Sequence, residues 1–269
     1  MYEAHGEGPR TLVLLHGLLL SQRMHEPLAR DLAARGNRVV TLDLLGHGRS
    51  DRPADMWRYS MPQFAEQVVA LLDELDVDEA VIAGTSLGAN VALETAVAAP
   101  ERVRGMVVEM PVLDNALLAC ALAFTPPLVA TTIGLPLMRV VSRLARAVPE
   151  APLGWLANVA LDTVRQDPRA SGAVLQGLFF GRVAPHRAER REITAPALVI
   201  GHHRDPVHPF SDADMLVGEL PNARLLRAST ILELRLSPER LTGEIAEFLD
   251  ECWRPRRAGG ARGRRVEIS

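Results

Sequence analysis

The chain has 269 residues, 48% of them hydrophobic and 23% charged, with a net charge of −3. That is enough apolar material for one large domain, or a domain with a sizeable insertion, and it lacks the basic excess that nucleic-acid binding needs. All 30 Lys and Arg residues are Arg, so Schiff-base catalysis, a Walker phosphate loop and kinase chemistry each lack the lysine amine they depend on.

Along the chain, residues 1–10 include Glu3, His5, Glu7 and Arg10 and no apolar run ahead of a cleavage site, so no secretory signal is expected. Two cysteines, Cys120 and Cys252, are too few for a disulfide framework and lack metal-ligand spacing, which points to a reduced, cytoplasmic chain. The first apolar run, 11–15, reads as a buried parallel strand and stops at His16-Gly17. Further strands are predicted over 38–42, 80–84, 105–109, 197–201 and 223–227, with helical spacing over 24–35, 61–75, 87–98 and 238–253. Strands alternating with helices predict an α/β fold with a mostly parallel sheet covered on both faces.

The alternation fails between residues 111 and 192, where helical patterns follow one another; this segment reads as an inserted helical cap. Pro126, Pro127, Pro136, Pro149, Pro152 and Pro168 are expected to cut it into pieces. Residues 115–138 carry no charge over 24 positions, long enough to suggest a membrane span. The proline pair at its centre argues for a buried or pocket-lining lid instead, with no stable membrane insertion. Residues 254–265 hold six Arg among Pro, Gly and Ala and read as a disordered tail. The expected organisation is therefore a core of residues 1–110 and 193–253, a cap of 111–192 and a tail of 254–269.

The chemistry concentrates at strand ends. Gly84-Thr85-Ser86-Leu87-Gly88 is G-x-S-x-G between an apolar strand and a helix, a setting that exposes Ser86 on a tight turn and aims the first helical amides at it. Leu87 N–H is then one candidate oxyanion donor. The turn after the first strand, His16-Gly17-Leu18, offers Leu18 N–H as a second, with Gly17 in the turn and His16 in a structural role. Asp43 to Asp51 is a Gly-rich turn after the next strand.

In these segments (LVLLHG, RVVTLDLLGHGRSDRP, GTSLG) and in the cap after the strand ending at Glu109, the chain resembles the α/β-hydrolase family. The resemblance implies an eight-stranded sheet, here short of its first strand. It also implies a cofactor-independent serine nucleophile, with acid and histidine following in that order. Asp205, after the 197–201 strand, fits the acid, with Glu109 in reserve.

The histidine departs from the family pattern. It belongs on the loop after the last strand, where Ile231 stands, and no His follows His208. Removing the base of a serine protease costs about 10⁶ in turnover, so three readings stay open. A neighbouring histidine substitutes, His208 first and His202 or His203 after it. Alternatively, the fold runs a lyase, isomerase or cyclase reaction with Glu233, Arg235 or Asp205 handling protons. Or the protein binds a hydrophobic ligand without turnover. We adopt the first, with Ser86, Asp205 and His208 as the catalytic set acting on a small apolar ester, thioester or related carboxylic derivative. No metal is expected, since residues 202–208 lack a second ligand cluster.

Overall fold

The computed structural model describes residues 1–150 and 154–254. The expected tail therefore lies outside the described residues, apart from Arg254. Seven strands form one sheet: β1 (Tyr2–His5), β2 (Thr11–Leu15), β3 (Arg38–Leu42), β4 (Ala80–Thr85), β5 (Val103–Glu109), β6 (Ala197–His202) and β7 (Ala223–Ala228). Their order is β1-β3-β2-β4-β5-β6-β7, with β1 antiparallel to β3 and every other pair parallel. Six of these strands are the predicted apolar runs. The seventh, β1, was not predicted: it is a short edge strand of exposed residues in which no apolar run marks the pairing.

The helices are α1 (Glu26–Ala34), α2 (Met61–Glu74), α3 (Leu87–Ala98), α4 (Leu117–Thr132), α5 (Leu135–Ala147), α6 (Gly154–Arg165), α7 (Pro168–Phe180), α8 (Arg187–Glu192), α9 (Phe210–Glu219), α10 (Glu233–Leu236) and α11 (Glu239–Cys252). Alternation along β2 builds two cores. Val13 and Leu15 point to the face covered by Phe64, Val68 and Leu72 of α2 and Val91 and Leu93 of α3. Leu12 and Leu14 point the other way, onto Leu28 and Leu32 of α1 and Leu241, Ile245 and Phe248 of α11. Strands β2, β4 and β6 are buried along their whole length, which is why they read as unbroken apolar runs.

Helices α4 to α8 follow one another between β5 and β6, the segment expected to form a cap. Contrary to expectation, Pro126 and Pro127 do not divide it, because α4 runs straight through them. The two carbonyls that lose their N–H donors belong to Leu122 and Ala123, which lie on the exposed side of the helix where water can replace the donor. The break falls instead at Ile133-Gly134, where α4 and α5 meet at 94°. The 115–138 segment is also not uniformly buried: one face of α4 lines a cavity while Leu118, Leu122 and Val129 are exposed. No helix among the described residues is long and apolar enough to cross a membrane.

Candidate active site

Strand β4 ends at Thr85 and α3 begins at Leu87, which leaves Ser86 alone to turn the chain. It does so at φ 54° and ψ −110°, a conformation that costs a side-chain-bearing residue about 1–3 kcal/mol. The surroundings hold it there. Ser86 N–H donates to the Glu109 carbonyl at 2.9 Å, and Asn90 N–H returns to the Ser86 carbonyl at 3.1 Å. The flanking glycines are steric necessities. A Cβ on Gly84 would lie 2.1 Å from the Gly88 carbonyl carbon, and one on Gly88 would lie 2.2 Å from the Leu15 carbonyl oxygen.

His208 reaches this hydroxyl from the loop between β6 and α9. Its Nε2 lies 2.9 Å from Ser86 Oγ, and its Nδ1 lies 2.9 Å from Asp205 Oδ2. With Nδ1–H donating to the carboxylate, Nε2 is free to accept the serine proton. The loop is folded to this end by Asp205, whose Oδ1 accepts from the amides of Val207 and His208 at 2.8 and 2.9 Å. Arg204, at φ 68°, supplies the reversal just before it. Burial opposes ionisation of Asp205, but the His208 ring and these two amides outweigh it and hold the carboxyl below its usual range. The acid and the histidine thus share one loop, three residues apart. Ile231, at the position expected to hold the histidine, is exposed on the loop after β7.

Ser86 opens into a cavity of about 280 Å³ that Leu18 and Leu87 also line. Its remaining walls come from α2, α4 and α7 and include Met61, Cys120, Phe124, Leu128 and Phe179; none of the lining residues is charged. Asn90 is also in the wall, but its Nδ2 already donates to the carbonyls of Val112 and Val183. Leu87 is the first residue of α3, so its N–H has no acceptor within the helix. Gly17 is not in the wall. Its N–H meets Met24 Sδ at 3.2 Å and its carbonyl accepts from Leu20 N–H and His16 Nδ1–H, so it shapes the turn that carries Leu18 and has no backbone group left for a ligand. A larger polar cavity of about 480 Å³, with Arg23, Arg49 and Arg52 in its wall, does not include Ser86.

The other histidines near the strand ends are committed elsewhere. His16 accepts from Leu44 N–H through Nε2, and burial lowers its pKa. Burial likewise lowers His25 and His47 to about 3. His203 is exposed and stacks on Phe210 at 4.1 Å between ring centroids. His202 is buried, with Nδ1 bonded to the Thr230 carbonyl and Nε2 3.4 Å from Glu109 Oε1. Glu109, the reserve acid, does not turn toward His208. Its Oε2 accepts from Thr85 Oγ1 at 2.5 Å and from Arg235 Nη2 at 2.8 Å. Burial works against the charged form of Glu109, but Arg235, then His202 and Thr85, hold its pKa far below the carboxylate range. Burial also opposes the charged form of His202, which Glu109 outweighs, raising its pKa. Arg235 and Thr85 thus join Glu109 and His202 in a polar cluster next to Ser86, whose amide donates to the Glu109 carbonyl. Glu233, proposed as a proton carrier, instead accepts from the Ser229 amide and pairs with Arg240. No group of three His, Cys, Asp or Glu among the described residues gathers to hold a metal.

Comparison with known proteins agrees with this architecture. A family model described as alpha/beta hydrolase fold matches residues 10–230. A 2-hydroxymuconate semialdehyde hydrolase of Pseudomonas putida is 29% identical over 204 residues, covering 72% of this chain and 69% of its own. The dihydrolipoyllysine-residue acetyltransferase component of an acetoin cleaving system, also from Pseudomonas putida, is 41% identical over 108 residues, or 39% of this chain and 28% of its own. Several curated relatives are matched over a third or less of their length. Among solved structures, the enol-lactonase of Burkholderia xenovorans LB400 superposes with a TM-score of 0.74 at 22% identity, covering 93% of this chain and 96% of that one. With its sheet order and strand-to-helix serine turn, this chain belongs to the alpha/beta hydrolase fold family.

Proposed function

We infer that the protein is a serine hydrolase acting on a small apolar ester, thioester or related carboxylic derivative. The observation that carries this reading is the 2.9 Å approach of His208 Nε2 to Ser86 Oγ, with Asp205 behind the ring. In this reading Ser86 Oγ attacks the substrate carbonyl as its proton passes to Nε2, and Asp205 stabilises the imidazolium that forms. The N–H groups of Leu18 and Leu87 receive the developing oxyanion, and Gly17 fixes the turn that presents the first of them. Collapse of the tetrahedral species expels the leaving group, which takes the proton from His208. Water, deprotonated by the same imidazole, then releases the acid from the acyl-serine.

The cavity argues for the substrate class. Its wall carries no charged residue to pair with a substrate carboxylate, and its volume sits near the lower end for small-molecule sites, so short uncharged acyl groups fit best. Residues 1–110 and 193–253 act as the catalytic core and 111–192 as the cap that closes over the acyl chain.

A fluorophosphonate probe and hydrolysis of short-chain nitrophenyl esters test the assignment. Wild-type protein is expected to be labelled on Ser86 and Ser86→Ala to be inert. His208→Ala should lose about 10⁴-fold or more in kcat, and Asp205→Asn about 10⁴-fold, with the folded state retained by circular dichroism. Full activity in His208→Ala, or a wild-type protein that resists the probe, overturns the reading.

A further inference from the structure

The cap presents an apolar surface that the cavity does not use. Along the outside of α4 and past the break at Gly134, Leu118 is 72% exposed, Leu122 70%, Ile133 82%, Leu137 68% and Leu144 66%. On α5, Leu137, Val140 and Leu144 fall at i, i+3 and i+7, one stripe of the helix; Arg139, Arg143 and Arg146 fall on the adjoining exposed stripe. Ser142 and Ala145 face inward. Between Asp114 and Glu150 there is no acidic residue, so the only charges that α4 and α5 themselves carry are those three arginines. Among the described residues none of the three pairs with a carboxylate; Arg146 donates only to the Arg165 carbonyl.

We propose that the outer face of the α4–α5 corner docks reversibly on an anionic lipid surface. Protruding apolar side chains beside a band of arginines that no carboxylate pairs with form the pattern of a helix that lies in a membrane interface, apolar stripe in the acyl boundary and guanidinium groups among the phosphates. The shape favours lipid over a protein groove. Two helices meeting at 94° put Ile133 at an apex, and an apex enters a fluid medium without needing a complementary cleft. The corner is also the back of the cavity wall: Leu117, Cys120, Phe124 and Leu128 of the same helix face the pocket. Docking would therefore hold the pocket's α4 wall against the phase in which apolar acyl compounds concentrate. Lipid docking does not depend on the serine chemistry, so Ser86→Ala should bind lipid as the wild type does.

The test is co-sedimentation of the full chain with sucrose-loaded vesicles, either pure phosphatidylcholine or an equal mixture with phosphatidylglycerol. Binding is expected on the mixture, weaker binding on phosphatidylcholine, and loss of both in Leu137→Glu/Leu144→Glu. Removing each arginine charge in Arg139→Gln and Arg143→Gln should weaken binding about fivefold on the mixture alone. These positions are exposed, so melting temperatures report that the fold is intact. The Arg-rich stretch 254–265 is present in every variant, so the differences read the cap alone. Absence of binding, or binding indifferent to all four substitutions, overturns the proposal. So does self-association in analytical ultracentrifugation that Leu137→Glu abolishes, because the face would then be covered by a second copy.

Discussion

Beneath Ser86, Glu109 and His202 form a buried pair whose shifts run in opposite directions, and this gives the protein a specific pH signature. The depressed Glu109 carboxyl contributes stability that is complete above the ordinary carboxylate pKa of about 4.3 and is lost as pH falls through its lower folded value. The raised His202 contributes stability that is complete below about 6.5 and is lost as pH rises through its higher folded value. Both contributions are whole only between those limits. The melting temperature of the wild type should therefore fall from pH 6 toward pH 9 more steeply than that of His202→Gln, and parallel curves would show that the pair contributes nothing. Little of this cluster was legible in the sequence, since Arg235 and Glu109 meet across 126 positions and only the assembled fold, with α10 following β7, brings them together. Ser86 and Asp205 were legible because each follows a strand end in a short motif. His208 was legible as a candidate because it shares a loop with Asp205, but its reach to Ser86 depends on how that loop turns at Arg204.

At the scale of elements, the strand-to-helix turn rests on backbone approach distances, and glycine substitution separates that role from ordinary flexibility. Gly84→Ala and Gly88→Ala each drive a Cβ to about 2.1 or 2.2 Å from main-chain atoms that cannot yield without moving β2 or α3. At Gly243, in the first half of α11, an added Cβ would meet nothing within 4 Å, and the backbone there has no positive φ. Gly243→Ala should raise unfolding free energy in urea by about 0.5–1 kcal/mol through helix propensity. Gly84→Ala and Gly88→Ala should lower it by several times that amount or prevent folding. Equal effects at the three sites would remove the steric account of the turn. The same distinction explains which elements could be read in advance. The central strands show as apolar runs because both faces are covered, whereas β1 is an exposed edge with no such mark. Proline, a reliable stop in a buried helix, failed as a signal in α4 because the carbonyls it strips of donors lie on the exposed side.

Across the whole molecule, the segment proposed as a cap is held firmly at its two ends and lightly over α5 and α6. At its start, the buried Asp212 carboxylate of α9 accepts from the amides of Leu113, Asn115 and Ala116 at 2.7–3.0 Å. At its end, Arg182 pairs with Glu94 of α3, and the Asn90 side chain joins Val112 to Val183. Between these anchors, α5 buries only Ser142 and Ala145 and α6 only Val159. Helix α7, by contrast, seats Ala173 and Val174 in the apolar core; the bonds that tie α5, α6 and the turns beside them to the core are polar: side-chain bonds from Trp155 to Arg23 and from Gln166 to Leu19, and the pairing of Arg23 with Glu150 and Asp162. Opening free energy follows buried apolar contact, so the amides of α5 and α6 should exchange with deuterium orders of magnitude faster than those of β2, β4 and α3. Mass-resolved hydrogen exchange reads this directly, and uniform protection across cap and sheet would mean that the two unfold as one body. Under the serine-hydrolase function proposed above, such a gradient would let the centre of the 111–192 segment lift for an acyl chain while its anchored ends stay fixed on α3 and α9. Vesicles of anionic lipid should then slow exchange selectively in α4 and α5, where the exposed corner meets them, and leave β4 unchanged.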